Sequence, residues 1–159
     1  MAVAHDTSNE PSRYDVSAKH AVIAAVLTFG DHVCIFRRSG RVGSDRGMWH
    51  CITGFLPETD NPLKQALTEI EEEAGLASAN LELMSNNLFS LQGQDGNTWE
   101  IHTFHFSCDT NSVQLNWEND AYRWTRFEAL AELETVDWLS AVLASLPSIR
   151  PKLASANRS

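Results

Sequence analysis

The chain has 159 residues, 43% of them hydrophobic and 21% charged, with a formal net charge of −9 at pH 7. That length supplies one domain with a real core and is too short for two of ordinary size. The acidic balance argues against non-specific binding to nucleic acid or to an anionic membrane, either of which needs a basic face.

Residues 1–17, MAVAHDTSNEPSRYDVS, are polar, contain no apolar core of a signal peptide, and read as a flexible tail. The run KHAVIAAVLT predicts an apolar strand over 19–28. Gly30-Asp31 then turns the chain, and HVCIFRR (32–38) returns as the second strand of a hairpin. Arg37 and Arg38 alternate sides at its end, so at most one faces inward. The loop SGRVGSDRGM (39–48) reads either as a plain surface loop or as one whose Arg41 and Arg46 meet phosphate or base. WHCIT (49–53) predicts a short strand delivering Gly54, where a missing Cβ would permit a sharp turn.

A helix follows, opened by Asn61 as a cap and Pro62 at the first helical position, and closed by Gly75. Leu63, Ala66, Leu67, Ile70 and Ala74 recur at the spacing of one face. Glu69, Glu72 and Glu73, three and four residues apart, project from one side and flank that stripe. Like charges so placed repel by roughly a few tenths of a kcal/mol per pair, and the C-terminal half of a helix disfavours them further. Two readings stand at this point: a solvated acidic face, or a carboxylate set held for a hard divalent cation.

LELMSNNLFSLQ (81–92) predicts a strand bent around Ser85-Asn86-Asn87, and GQDGN (93–97) a hairpin turn. TWEIHTFHFSC (98–108) alternates, with Trp99, Ile101, Thr103 and His105 on one face and His102, Phe104 and Phe106 on the other, so its histidines cannot form one site. SVQLNWENDAYRWT (112–125) gives a strand, a turn near Glu118-Asn119-Asp120, and a second strand at Tyr122–Thr125. FEALAEL (127–133) starts a short helix, VDWLSAVLASL (136–146) an amphipathic one, and Pro147 and Pro151 stop it ahead of a tail over 147–159. Cys34, Cys51 and Cys108 are odd in number and lack metal-ligand spacing, which suits reduced thiols and a cytoplasmic location. No apolar run approaches membrane-spanning length.

Taken together, Gly54, five residues, Asp60, seven residues, then Thr68-Glu69-Ile70-Glu71-Glu72-Glu73-Ala74-Gly75-Leu76 resembles the Nudix box, gap-free over its whole length. Asp60 stands where that family has Glu, and Thr68 where it has an Arg that holds a carboxylate of the box; Lys64, one turn earlier, is the nearest substitute. The flanks, WHCITGF before the box and ENDAYRWTRFEAL after it, are similar to Nudix proteins as well.

The resemblance implies an α/β fold of the Nudix type, an α/β/α sandwich with a mixed sheet, over residues 18–146. It implies hydrolysis of a nucleoside diphosphate linked to another moiety, with Mg²⁺ (or Mn²⁺) on Glu69, Glu72 and Glu73, Glu69 and Glu72 also serving catalysis. Glu118 is the candidate general base from a distant loop, and Gly54, Asp60 and Gly75 shape the motif. Arg38, Arg46 and Phe55 are the substrate-contact candidates; Trp49, Phe104 and Trp117 are further rings able to stack on a base. The expected partner is a small phosphorylated molecule, with no nucleic acid and no membrane; a homodimer is compatible with this. The alternative reading is a Nudix-fold binding or sensing module without turnover, for which Thr68 is the argument.

Overall fold

The computed structural model describes residues 19–93 and 96–157; the tail expected over 1–17, and Gln94-Asp95 of the expected hairpin turn, lie outside them. Seven strands form one sheet: β1 (Lys19–Phe29), β2 (His32–Arg38), β3 (Trp49–His50), β4 (Ile52–Phe55), β5 (Leu81–Gln92), β6 (Thr98–Cys108) and β7 (Asn119–Arg126). The spatial order is β3-β2-β1-β6-β5, with β4 added to β1 and β7 to β2. β1 and β6 run parallel and the other pairs antiparallel, so the sheet is mixed. The helices are α1 (Pro62–Ala74), α2 (Leu139–Ser145) and α3 (Arg150–Asn157).

β1 sets the layers. Val22, Ala24 and Val26 face α2 and α3 with Leu139, Val142, Leu146 and Ile149, while Ile23, Ala25 and Leu27 face α1 with Ala66, Ile70 and Ala74. A central strand buried on both faces carries an unbroken apolar run, which is why KHAVIAAVLT shows no alternation. The result is the α/β/α sandwich that the sequence implied.

Several expectations need correction. Residues 111–116 form no strand; β7 begins at Asn119 and the turn falls before it. Residues 127–132 are a 3-10 turn rather than the start of an α-helix. The tail expected from 147 is a helix over Arg150–Asn157. Pro151 lies in its first turn, where a missing N–H costs nothing, and Ile149 is fully buried ahead of it, with Leu153 and Ala156 packed on the same core. β5 is one strand, with its register shift between Leu83 and Ser85.

The two strand histidines do face opposite ways. His105 points toward α2 and α3, where Thr28 Oγ1 lies 2.8 Å from Nε2 and Ser148 Oγ 2.6 Å from Nδ1. Burial pushes it down to about 4, so it is neutral at pH 7 and ties the sheet to the α2–α3 turn as a polar pin.

Candidate active site

The local logic of α1 follows the sequence closely. Asn61 Oδ1 accepts from the Lys64 N–H at 3.0 Å, Pro62 takes the first helical position, and Gly75 closes the helix at φ 71 with its N–H on Glu71 O. The buried face is Ala66, Ile70, Ala74 and one acid, Glu73, which is 2% exposed. Glu73 thus lies inside the apolar stripe rather than beside it. It falls seven residues after Ala66 and three after Ile70, the spacing of that stripe, and this was readable in the sequence.

Gly54 lies within β4 and has no left-handed backbone, so the expected sharp turn is not its reason. A Cβ placed on it would overlap the Glu69 carboxyl and Cγ. The glycine makes room for the carboxylate to lie against the strand. Gly75 combines both needs, since a Cβ there would also come within 2.9 Å of Gln114 Cβ. Asp60 is exposed in the turn before α1, its N–H bonded to Pro57 O, and it does not line the cleft described below.

The position of the missing Arg resolves differently from the expectation. Thr68 is exposed and its hydroxyl donates to Lys64 O at 3.1 Å, a bond within the helix. Gln65, not Lys64, holds the box carboxylate: its Nε2 donates to Glu69 Oε2 at 2.8 Å. A neutral amide one turn before Glu69 reaches it with no salt bridge, while Lys64 is exposed.

Glu118 arrives from the far end of the chain. Ser39 holds that segment, its N–H on Glu118 O at 2.9 Å and its hydroxyl on Trp117 O at 2.8 Å. The Glu73 carboxyl stands within hydrogen-bonding reach of both Glu69 and Glu118. Its affinity for a proton is raised well above that of an ordinary carboxyl, first by burial and then by the charge of Glu118 and contact with Glu69. Glu69 is raised as well, by burial first and then by the charges of Glu72 and Glu118, with the bonds from Glu73 and Gln65 opposing. Glu118 is raised by burial, with Glu72 adding and Arg38 opposing.

These acids line a cleft of about 730 Å³ together with Arg38, Arg41 and the loop 42–45. Arg38 Nε donates to Ser44 O at 2.8 Å, and Arg41 lies over the Trp117 ring at 5.8 Å. Of the sequence candidates, Glu69, Glu72, Glu73, Glu118, Gly54, Arg38 and Phe55 all line this cleft. Arg46 does not: its Nε is bonded to Val42 O at 2.8 Å, bracing the loop. Phe55 and Trp117 are 44% and 52% exposed at the cleft, whereas Trp49 is buried beneath Arg37 and Arg123, and Phe104 is stacked on Phe106 in the core. His50, Asn119 and Trp138 are the residues that sequence reasoning missed. His50 and Trp138 line the cleft, and Asn119 is hydrogen-bonded to His50.

Among the described residues, no group of three His, Cys, Asp or Glu is gathered as it stands into a cage for a metal ion. The donor set nonetheless fits one chemically. Glu73 Oε2 is buried without a hydrogen-bond partner, and the charges of Glu118 and Glu69 beside it disfavour its ionised form, so a hard cation would satisfy the orphan and relieve the repulsion.

Comparison with known proteins agrees with this fold. The NUDIX domain family profile matches residues 18–146. Among curated proteins none is significantly similar in sequence. A Nudix hydrolase from M. smegmatis, RenU, superposes with a TM-score of 0.66 at 17% identity, over 87% of each chain. The NUDIX domain of Shewanella oneidensis NrtR, solved with ADP ribose, gives 0.65 at 16% identity over 100% of each. A C. elegans Ap4A hydrolase binary complex gives 0.61 at 14% identity, covering 88% of this chain and 97% of that one.

Two predictions arise here. Gln65→Ala should lower kcat about tenfold by loosening Glu69, while Lys64→Ala stays within about twofold of wild type, measured by steady-state hydrolysis. The second concerns pH. Because folding raises the proton affinity of Glu73, its contribution to stability is complete below about pH 4.5 and is lost as pH rises through the folded-state value. In chelator, Glu73→Gln should therefore melt a few degrees above wild type at pH 8, with the difference closing toward pH 4.

The chain belongs to the Nudix family.

Proposed function

We propose that the protein hydrolyses a nucleoside diphosphate linked to another moiety, cleaving its pyrophosphate bond with water, and that it uses Mg²⁺ or Mn²⁺ to do so. The observation that carries this is the buried Glu73 carboxyl, with an orphaned oxygen and the carboxyls of Glu69 and Glu118 beside it, in a cleft that Arg38 and Arg41 also line. Glu69, Glu72 and Glu73 would hold the ion. When bound, the ion neutralises the pyrophosphate oxygens and polarises the phosphorus toward attack.

The chain's own groups do the rest. Glu118, which lines the cleft and whose proton affinity is raised by burial, is the candidate to take a proton from the attacking water. Gln65 fixes the orientation of Glu69, and Gly54 leaves the space in which that carboxyl lies. Arg38 and Arg41 line the same cleft and offer positive charge to phosphate oxygens that the acids alone would repel. Phe55 and Trp117 present exposed rings for the remainder of the substrate. The names of the similar structures, an Ap4A hydrolase and a domain solved with ADP ribose, favour an adenine- or other nucleoside-bearing diphosphate. A cytoplasmic location suits three buried, unpaired cysteines and a substrate of this class.

Incubation with Mg²⁺ and a panel of nucleoside triphosphates, dinucleoside polyphosphates, nucleotide sugars and ADP-ribose, with products identified by mass, tests the reading. At least one member should yield a nucleoside monophosphate, and Glu72→Gln should reduce its rate by ~10²-fold or more while the protein stays folded. If no panel member is cleaved with either ion, the enzyme reading fails and the binding-module alternative takes its place.

A further inference from the structure

Glu118 is the one acid of the cluster that does not ride on α1, so its place beside Glu73 depends on how its own segment is held. Two of the ties are on the backbone. The Glu118 N–H donates to Asn116 Oδ1 at 3.0 Å, and its carbonyl accepts from the Ser39 N–H at 2.9 Å. The third is a side-chain bond one residue on: Asn119 Oδ1 and His50 Nε2 lie 2.9 Å apart, with Asn119 3% and His50 2% exposed. Two polar side chains are costly to bury, and this bond offsets part of that cost.

We propose that His50 and Asn119 are positioning residues for the reaction, their hydrogen bond setting where the Glu118 carboxyl stands against Glu73 and Glu69. The inference rests on the reading of Glu118 as the group that takes a proton from water, and it adds the residues that hold that group in place.

The strand pairing shows what the bond acts against. β7 pairs with β2 in regular register from His32–Arg126 to Arg37–Ala121, and then Arg38 meets Asn119, leaving Asp120 as an extra residue. A bulge of this kind loosens the ladder and re-aims the side chains beside it. Asp120 lies on the surface, its Oδ1 accepting from Arg37 Nε at 2.8 Å, while Asn119 is buried. The His50 bond thus fixes the inward member of the bulge, and with it the orientation of Glu118 at the head of the strand. His50 is itself held: it pairs with Phe36 of β2, and Trp138 meets its ring edge-on at 6.2 Å and 81°. Burial first, then the charge of Arg38, hold its pKa down to about 4 against the bond from Asn119, so the ring is neutral at pH 7.

Four residues after His50, Gly54 makes the room in which the Glu69 carboxyl lies. The short segment 50–54 therefore bears on both carboxyls that flank Glu73, on Glu69 directly and on Glu118 through Asn119. Asn119 does not line the cleft, so its effect on the reaction runs through Glu118 rather than through contact with substrate.

Asn119→Leu, close in size and without the acceptor, and His50→Asn, whose amide stops short of Asn119, both break the bond. With a substrate found by the panel above, each should lower kcat about tenfold or more, and for Asn119→Leu KM should stay within about twofold. His50→Gln, whose amide nitrogen reaches the position of Nε2, should recover most of the loss. In a Glu118→Gln background, Asn119→Leu should cost less than about twofold more, because no carboxyl is left to misplace. Crystal structures of wild type, Asn119→Leu and His50→Asn supply a readout that needs no turnover. The Glu118 carboxyl should leave Glu73 in both variants while the Ser39 bond to the Glu118 carbonyl persists. A Glu118 carboxyl still beside Glu73 in both, equal losses from Asn119→Leu with and without the Glu118 carboxyl, or loss of the fold in both variants would each overturn the assignment. If wild type cleaves no member of the panel, the hydrolase reading fails by itself, and the crystal structures alone decide the placement.

Discussion

Everything at this site turns on a carboxyl group buried where water cannot solvate it. Glu73 occupies a core position of α1, with Ala66, Ile70 and Ala74 on the same face, yet it touches Glu69 and Glu118 instead of a base. Charging such a group costs free energy in proportion to what its surroundings fail to supply, and here two more acids stand in those surroundings. Nothing in the helix offsets this: no basic residue lies in its last turn. A fold retains a cluster of this kind when something that binds the native state makes up the difference, and a divalent cation does so most directly.

The rest of the architecture serves the placement of those acids. β1, apolar on both faces, anchors β4, and β4 brings Gly54 beneath Glu69 with no Cβ in the way. Gln65 ties the carboxylate down from one turn earlier. The β2–β3 loop is braced by Arg38 on Ser44 and Arg46 on Val42, and Ser39 fastens it to the segment that delivers Glu118. Residues 80 positions apart in the chain thus meet across a single cleft because β2 is paired with both β3 and β7.

Much of this was legible in advance. The two-sided burial of β1, the caps of α1 and the box spacing all follow from local rules, and each is present as expected. What local rules could not reveal is of three kinds. Gly54 was assigned a turn because glycine signals backbone freedom, when its true role is steric and depends on a side chain 15 residues away. The substitute for the missing Arg was sought among cations, whereas a neutral amide on Gln65 does the holding. The pairing of His50 with Asn119 spans 69 residues, and no periodicity announces a contact between two strands that share only a neighbour. The Pro151 helix was missed because proline stops a helix in its interior and not in its first turn.

Burial and mutual charge raise the proton affinity of Glu73, Glu69 and Glu118, and a cation bound among them competes with protons for the same oxygens. Calorimetric titration of the metal-free protein with Mg²⁺, repeated in buffers of different ionisation enthalpy, counts those protons directly. Mg²⁺ should bind with net proton release that diminishes as pH is raised and is reduced in Glu73→Gln. Binding with no proton release at any pH, or no binding at all, would contradict this.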